Sequence, residues 1–261
     1  MRKLLTTILA LSSSLVFGAP VWTEYMFKVD NPDSAAKIIA AADAFMASDY
    51  SKENFKGSVH LNTYMANGDN QATHAFAVLQ PSLEEHANWT TSNADPNNEA
   101  ASEFFKIYRE NSEPVTERIN TFLSTFGTPS NNDRVWLLHQ MKVKPSDYQK
   151  VIKACENLDR AIKDSFPGQF GVSEATVGGD EVNLILTVGF ESVAEMEAWE
   201  DSSERAKTVA PFLRALDSVV DWKGSTMVVN TRVYDSASDL TQFLSLIHIS
   251  EPTRPRLISY A

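Results

Sequence analysis

The sequence predicts an α+β fold made of two tandem β-α-β-β-α-β units packed sheet to sheet. Three observations carry this. The chain resembles itself at an offset of 110 residues, with nine identities that include Val78/Val188, Ser82/Ser192, Glu85/Glu195, Trp89/Trp199, Ser92/Ser202 and Ala100/Ala210. The gap-free match continues through Thr116/Thr226, Asn120/Asn230 and Thr121/Thr231, whereas ordinary residue usage gives about three chance identities over such a stretch. Each half then runs through the same succession of two-residue and 3.6-residue hydrophobic periods. Finally, Trp22, Met26, Trp136 and Leu138 give the first strand of each half a second apolar face. A sheet covered by helices on one side needs another partner for that face.

In the first half, Val21–Val29 alternates and is rich in β-branched and aromatic residues, so it reads as a strand. Asn31 caps the helix that follows, with Pro32 at its first position, where a missing N–H costs nothing. Ile38, Ile39, Ala42 and Phe45 are at core spacing in that helix, Ala35–Met46. Ser58–Ala66 and Thr73–Leu79 form a hairpin about Asn67-Gly68-Asp69. Ser82 and Glu85 make a capping box that opens a second helix. The Asn- and Pro-bearing stretch 93–98 interrupts it before Glu99–Glu110, and Ile119–Phe126 closes the unit.

The linker 128–133 is polar throughout, and the order then repeats. Val135–Val143 opens on the same Val-Trp pair as Val21-Trp22. Ser146 with Gln149 predicts another capping box and a helix to about Asp164. Phe170–Val177 and Val182–Val188 flank a Gly178-Gly179-Asp180 turn. Ser192 and Glu195 open the next helix, a second helical piece lies around Pro211–Val220, and Ser225–Val233 is the last strand. Each unit, 19–127 and 134–235, therefore has the ferredoxin-like arrangement. Together they make an internal pseudo-dimer that needs no second chain.

The ends stand apart. Residues 1–18 read as a secretory signal peptide, with Arg2 and Lys3 before the apolar run Leu4–Phe17 and a cleavage point before Ala19. The expected location is secreted or periplasmic, with no membrane span after cleavage. From Leu244 the chain reads LSLIHISEPTRPRLISYA, which resembles a translated sequencing-library adapter, so 244–261 is set aside with His248. The net charge of −11 opposes binding to nucleic acid or anionic membranes. The lone Cys155 shares a helical face with Val151, Ile152, Leu158 and Ile162 and is expected to be buried.

The stretch 190–216, FESVAEMEAWEDSSERAKTVAPFLRAL, resembles the second-helix region of the dimeric α/β-barrel superfamily, in particular the antibiotic-biosynthesis-monooxygenase-like domains. In element order the resemblance covers both halves. It implies a pseudo-dimeric α/β barrel with ligand cavities between sheet and helices, and it allows a cofactor-independent monooxygenase. Relatives in this superfamily also bind haem, but no haem motif is present, and no other cofactor is implied.

The residues themselves give no catalytic motif. Nucleophilic triads, P-loops, dinucleotide fingerprints and metal-spaced His or Cys sets are all missing. Tyr25, His74 and His139 fall on the helix-covered face and are the candidate ligand-binding residues. His74 and Tyr25 are expected to converge on adjacent strands. Each histidine has two readings, a buried hydrogen-bonded core residue or a polar group orienting a small ligand. His86, beside Glu84 and Glu85, is expected on a solvated face, and the face of His60 stays open. Trp89 and Trp199 are read as packing anchors. Two function classes remain, an exported protein binding a small apolar molecule and a monooxygenase-like enzyme, with a purely structural role beside them.

Overall fold

The computed structural model describes residues 18–128, 130 and 132–235; the signal-peptide and adapter readings fall outside them. The elements follow the predicted order, with a short unpredicted helix at Asp49–Asn54 and with the helical piece expected around Pro211–Val220 lying instead at Ser203–Leu216, ahead of a strand that starts at Val220. The first unit is β1 (Val21–Lys28), α1 (Pro32–Ala47), α2 (Asp49–Asn54), β2 (Ser58–Ala66), β3 (His74–Gln80), α3 (Leu83–Asn93), α4 (Glu99–Asn111) and β4 (Glu113–Gly127). The second is β5 (Val135–Val143), a 3-10 turn at Pro145–Asp147, α5 (Tyr148–Ile162), β6 (Gln169–Val177), β7 (Leu184–Phe190), α6 (Val193–Glu200), α7 (Ser203–Leu216) and β8 (Val220–Asp235).

All eight strands close into one antiparallel barrel in the order β1-β3-β2-β8-β5-β7-β6-β4. The closure depends on β4 and β8, which are longer than their apolar cores predicted. The first half of β4 pairs with β1 and its second half with β6 of the other unit. In the same way β8 pairs first with β5 and then with β2. The early part of β4 was not predicted because Glu113-Pro114-Val115 reads as loop. Pro114 is tolerated because it sits at a bulge, where the register between β1 and β4 slips. Each unit thus lends a strand to the other, and no sheet edge is left open.

The pairing corrects one part of the internal match. Trp22 lies opposite Asn120 in the first unit, and Trp136 lies opposite Val228 in the second. The last strands are therefore related by 108 residues, so the Thr116/Thr226, Asn120/Asn230 and Thr121/Thr231 matches are two residues out of register. A shift of two keeps every side chain on its own face, which is why the alternation gave no warning.

Local signals hold at most helix starts. Asn31 Oδ1 accepts from the Ser34 amide at 2.9 Å, and Ser82 and Ser192 accept from the amides three residues on, each at 3.2 Å. Neither capping box closes reciprocally. Glu85 instead meets Lys56 at 2.9 Å, and Glu195 accepts from the Glu191 amide at 2.8 Å. Ser146 is not a cap, because Pro145 starts a 3-10 turn and α5 begins after it with no side-chain cap. Cys155 is buried, and that burial pushes its thiol up to about 12.

Three interiors result. One apolar core lies under the helices of each unit. The third is the barrel interior, where Trp22, Leu138, Ile185 and Val228 cluster and Trp136 packs against them. Met26 does not join that cluster. It lies further along the barrel with Ala72, Ala75 and Tyr64. Between these apolar patches lies a buried ion pair, Arg118 Nη2 to Glu24 Oε2 at 2.7 Å, and the Tyr64 hydroxyl donates to Glu24 Oε1 at 2.7 Å.

Candidate functional site

In the first unit, α3 packs His86 and Trp89 inward, and Thr90, exposed, and Asn93, half-buried, continue the same helical face at the i, i+3, i+4, i+7 spacing. Trp89 is buried against Phe45, Tyr50 and Phe55 with ring centroids 5.7, 5.6 and 4.9 Å away. Beside it opens a cavity of about 550 Å³ between sheet and helices. Phe76, Phe104, Phe105 and Tyr108 supply aromatic wall, Tyr25 lines the sheet side, and Asp95 and Arg109 bring charge to the lining. Aromatic walls with a few polar groups are the usual make-up of a small-molecule site.

Behind Tyr25 lies a buried polar chain. The Gln80 amide nitrogen reaches the Glu85 carbonyl at 3.4 Å, which turns Gln80 Oε1 toward His86 Nδ1 at 2.8 Å. An amide oxygen can only accept, so Nδ1 carries the proton and Nε2 is left as an acceptor. With Nδ1 protonated, the Tyr25 hydroxyl faces Nε2 as a donor at 3.4 Å, while Thr23 Oγ1 lies between the two ring nitrogens, 3.3 Å from Nε2 and 3.4 Å from Nδ1. Burial holds the His86 imidazole below its ordinary value. Burial, with the Glu117 carboxylate nearby, pushes the Tyr25 hydroxyl up to about 12.

The second unit has a cavity in the same place, about 410 Å³, with His139 where the first has Tyr25. His139 Nδ1 lies 2.7 Å from Ser225 Oγ, and its ring meets Trp222 edge-on at 6.4 Å. Trp199 and Phe166 pack edge to face at 5.0 Å, and an Arg205–Glu200 pair at 2.7 Å joins the lining.

The barrel interior holds a smaller cavity of about 90 Å³, lined by Glu24, His60, Asn62 and Asn230 among apolar neighbours. His60 Nε2 is sealed there without a hydrogen-bond partner among the described residues, and burial lowers its imidazole to about 4. Burial also lowers His74, His86 and His139. A base whose folded value lies below its unfolded one favours folding above the unfolded value, about 6.5, and loses that contribution as pH falls toward the folded value. Asp133 works in the opposite direction. Gln169 donates to its Oδ2 at 2.8 Å, yet burial raises the carboxyl to about 6, so its contribution declines as pH rises through that value. In Asp133→Asn, urea midpoints should therefore climb more steeply than wild type from pH 4 to 6.5. Parallel profiles would contradict the assignment.

Of the sequence candidates, Tyr25 and His139 line cavities, one in each unit. His74 does not meet Tyr25. On β1, Tyr25 pairs with Phe76 while His74 pairs with Phe27. His74 stacks on Phe27 at 5.7 Å, contacts Thr73 Oγ1 at 2.8 Å and is not among the cavity-lining residues. Strand adjacency gave the right face but not the position along it. His86 was placed on a solvated face, yet it is 6% exposed. Its neighbours Glu84 and Glu85 suggest solvent; its i, i+3 spacing to Trp89 is the signal that points inward. Trp89 and Trp199 are both packing residues and cavity wall.

No known family model and no curated protein sequence matches the chain. Solved structures do. A candidate monooxygenase from Fusobacterium nucleatum superposes with a TM-score of 0.59 at 10% identity, covering 84% of this chain and 95% of its own. A second, from Lactobacillus acidophilus, gives 0.57 at 11% identity, covering 83% and 96%. An anthrone oxidase-like protein gives 0.54 at 13%, covering 84% and 94%. The chain has the dimeric α/β-barrel fold. At these identities the likeness shows the fold alone. Among the described residues no helix is long and apolar enough to cross a membrane.

Proposed function

We propose that the first unit binds a small, flat, largely apolar ring molecule in the cavity between its sheet and helices. The observation that carries this is the aromatic-walled space of about 550 Å³ with the Tyr25 hydroxyl on its sheet side. Apolar walls supply the driving force, and the few polar groups fix orientation. A second reading, oxygenation of that molecule without a cofactor, is supported by two things. The Tyr25 hydroxyl in the cavity wall, with His86 behind it at 3.4 Å, offers an acid and a base, and proteins of similar fold include candidate monooxygenases and an anthrone oxidase-like protein.

The test is a titration with 1,4-naphthoquinone and with anthrone, followed by quenching of tryptophan fluorescence. Ser102 lines the cavity and is exposed, so Ser102→Trp should obstruct the entrance without disturbing the fold. We expect saturable binding to the wild type and at least about tenfold weaker binding to Ser102→Trp, a loss of about 1.4 kcal/mol. Equal affinities would remove the ligand from this cavity. Oxygen uptake with anthrone separates the two readings: binding without uptake leaves a binding protein.

A further inference from the structure

We propose that His86 acts through Tyr25 as a buried proton acceptor, so that the first-unit cavity takes ligands carrying an acidic ring hydroxyl, phenols or enols, and binds them partly as the oxyanion. The inference rests on the ligand reading above and names the class of ligand that reading left open. The step is a two-proton shift. The ligand O–H bond breaks and its proton bonds to the Tyr25 oxygen, while the Tyr25 proton passes to His86 Nε2. The products are a ligand oxyanion held by a neutral tyrosine and an imidazolium whose Nδ1–H donates to Gln80. No electrons move, and no further reactant is needed.

Three observations lead here. The first is the tautomer: Gln80, oriented by the Glu85 carbonyl, holds the proton on Nδ1 and leaves Nε2 as the basic nitrogen, 3.4 Å from the Tyr25 hydroxyl. The second is burial, since Thr23 is 0%, Gln80 2% and His86 6% exposed, which keeps water from competing for Nε2.

The third is the sister unit, which serves as an internal control. The residues at the places of Thr23, Gln80 and His86 are Leu137, Phe190 and Met196, and all three pack into the apolar core of that unit. Tyr25 is replaced by His139. The same helix and sheet therefore close over a hydrocarbon set. A buried polar chain costs desolvation that an apolar set does not, so packing alone does not account for the chain in the first unit.

The surrounding charges decide where the proton rests. Glu117 lies opposite Tyr25 on β4, and Asp95, Arg109 and Tyr108 line the cavity from the helical side. On α3 the neighbouring Glu85 is paired with Lys56. Burial and the Glu117 charge hold the Tyr25 proton on, so the tyrosine transmits a proton and does not itself rest as an anion. Burial alone disfavours an imidazolium at His86, so the shifted proton is held there by the ligand oxyanion that forms beside it as its counter-charge.

The experiment uses two probes of similar shape, 4-nitrophenol, whose phenolate has its own absorption band, and 4-nitroanisole, which cannot ionise. Both are titrated into wild type, His86→Met and Tyr25→Phe, and the bound phenolate fraction is read as a function of pH. His86→Met introduces the residue the second unit carries, and its melting curve controls for folding. Wild type should bind 4-nitrophenol with an apparent pKa about one unit or more below that in His86→Met, a tenfold difference in ionisation. 4-Nitroanisole should bind both equally. Tyr25→Phe keeps the ring and removes the bridging hydroxyl, so it should lose the same shift even if His86→Met folds poorly. If 4-nitroanisole binds and the phenol titrates alike in all three proteins, the inference falls and the cavity stands. If neither probe binds the wild type, the inference falls together with the ligand reading.

Discussion

Replacing Arg118 with alanine is expected to cost about 3–5 kcal/mol of stability, because it strands a carboxylate inside a closed barrel. Arg118 and Glu24 are 5% and 1% exposed and meet at 2.7 Å, with Tyr64 donating to the other carboxylate oxygen. Removing the cation leaves Glu24 with one neutral donor, the Tyr64 hydroxyl, in a barrel interior whose cavity is only about 90 Å³. Closure of the barrel by β4 and β8 makes the loss large, since an open sheet would hydrate the orphaned group. The double variant Arg118→Met with Glu24→Leu should recover much of the loss, because charge burial and charge attraction leave together. Urea unfolding of the single and double variants measures both. A single variant within about 1 kcal/mol of wild type would mean that the pair is solvated, as surface ion pairs are.

Trp89→Ala should lower stability by about 3–5 kcal/mol and abolish ring binding in the first unit, since the indole serves both. It packs against Phe45, Tyr50 and Phe55 and also forms cavity wall. Trp199→Ala in the second unit provides the comparison. It removes packing against Phe166 and should cost a similar amount, but first-unit ligand binding should survive it. Thermal unfolding with and without 1,4-naphthoquinone reads both effects. Equal loss of the ligand-induced stabilisation in the two variants would show that the ligand does not sit in the first-unit cavity.

The sequence by itself determined the repeated unit, the order of most of its elements and the face to which the residues of the first strand of each unit point. Periods of two and 3.6 residues, the hairpin glycines and the Asn31, Ser82 and Ser192 caps are local signals, and local geometry obeys them. Tyr25 was legible for the same reason, being in phase with Phe27 on β1 and therefore under the helices. Several things belonged to the tertiary structure alone. The early part of β4 is polar and carries Pro114, and it becomes strand because β1 beside it supplies the hydrogen bonds. The two-residue shift between β4 and β8 leaves every face unchanged, so alternation could not detect it. His86 has acidic neighbours along the chain, but in space it has Thr23, Tyr25 and Gln80. Successive helix residues point about 100° apart, so acidic sequence neighbours do not fix a residue's surroundings, and only the sheet across from α3 shows whether a polar residue there meets water or another side chain.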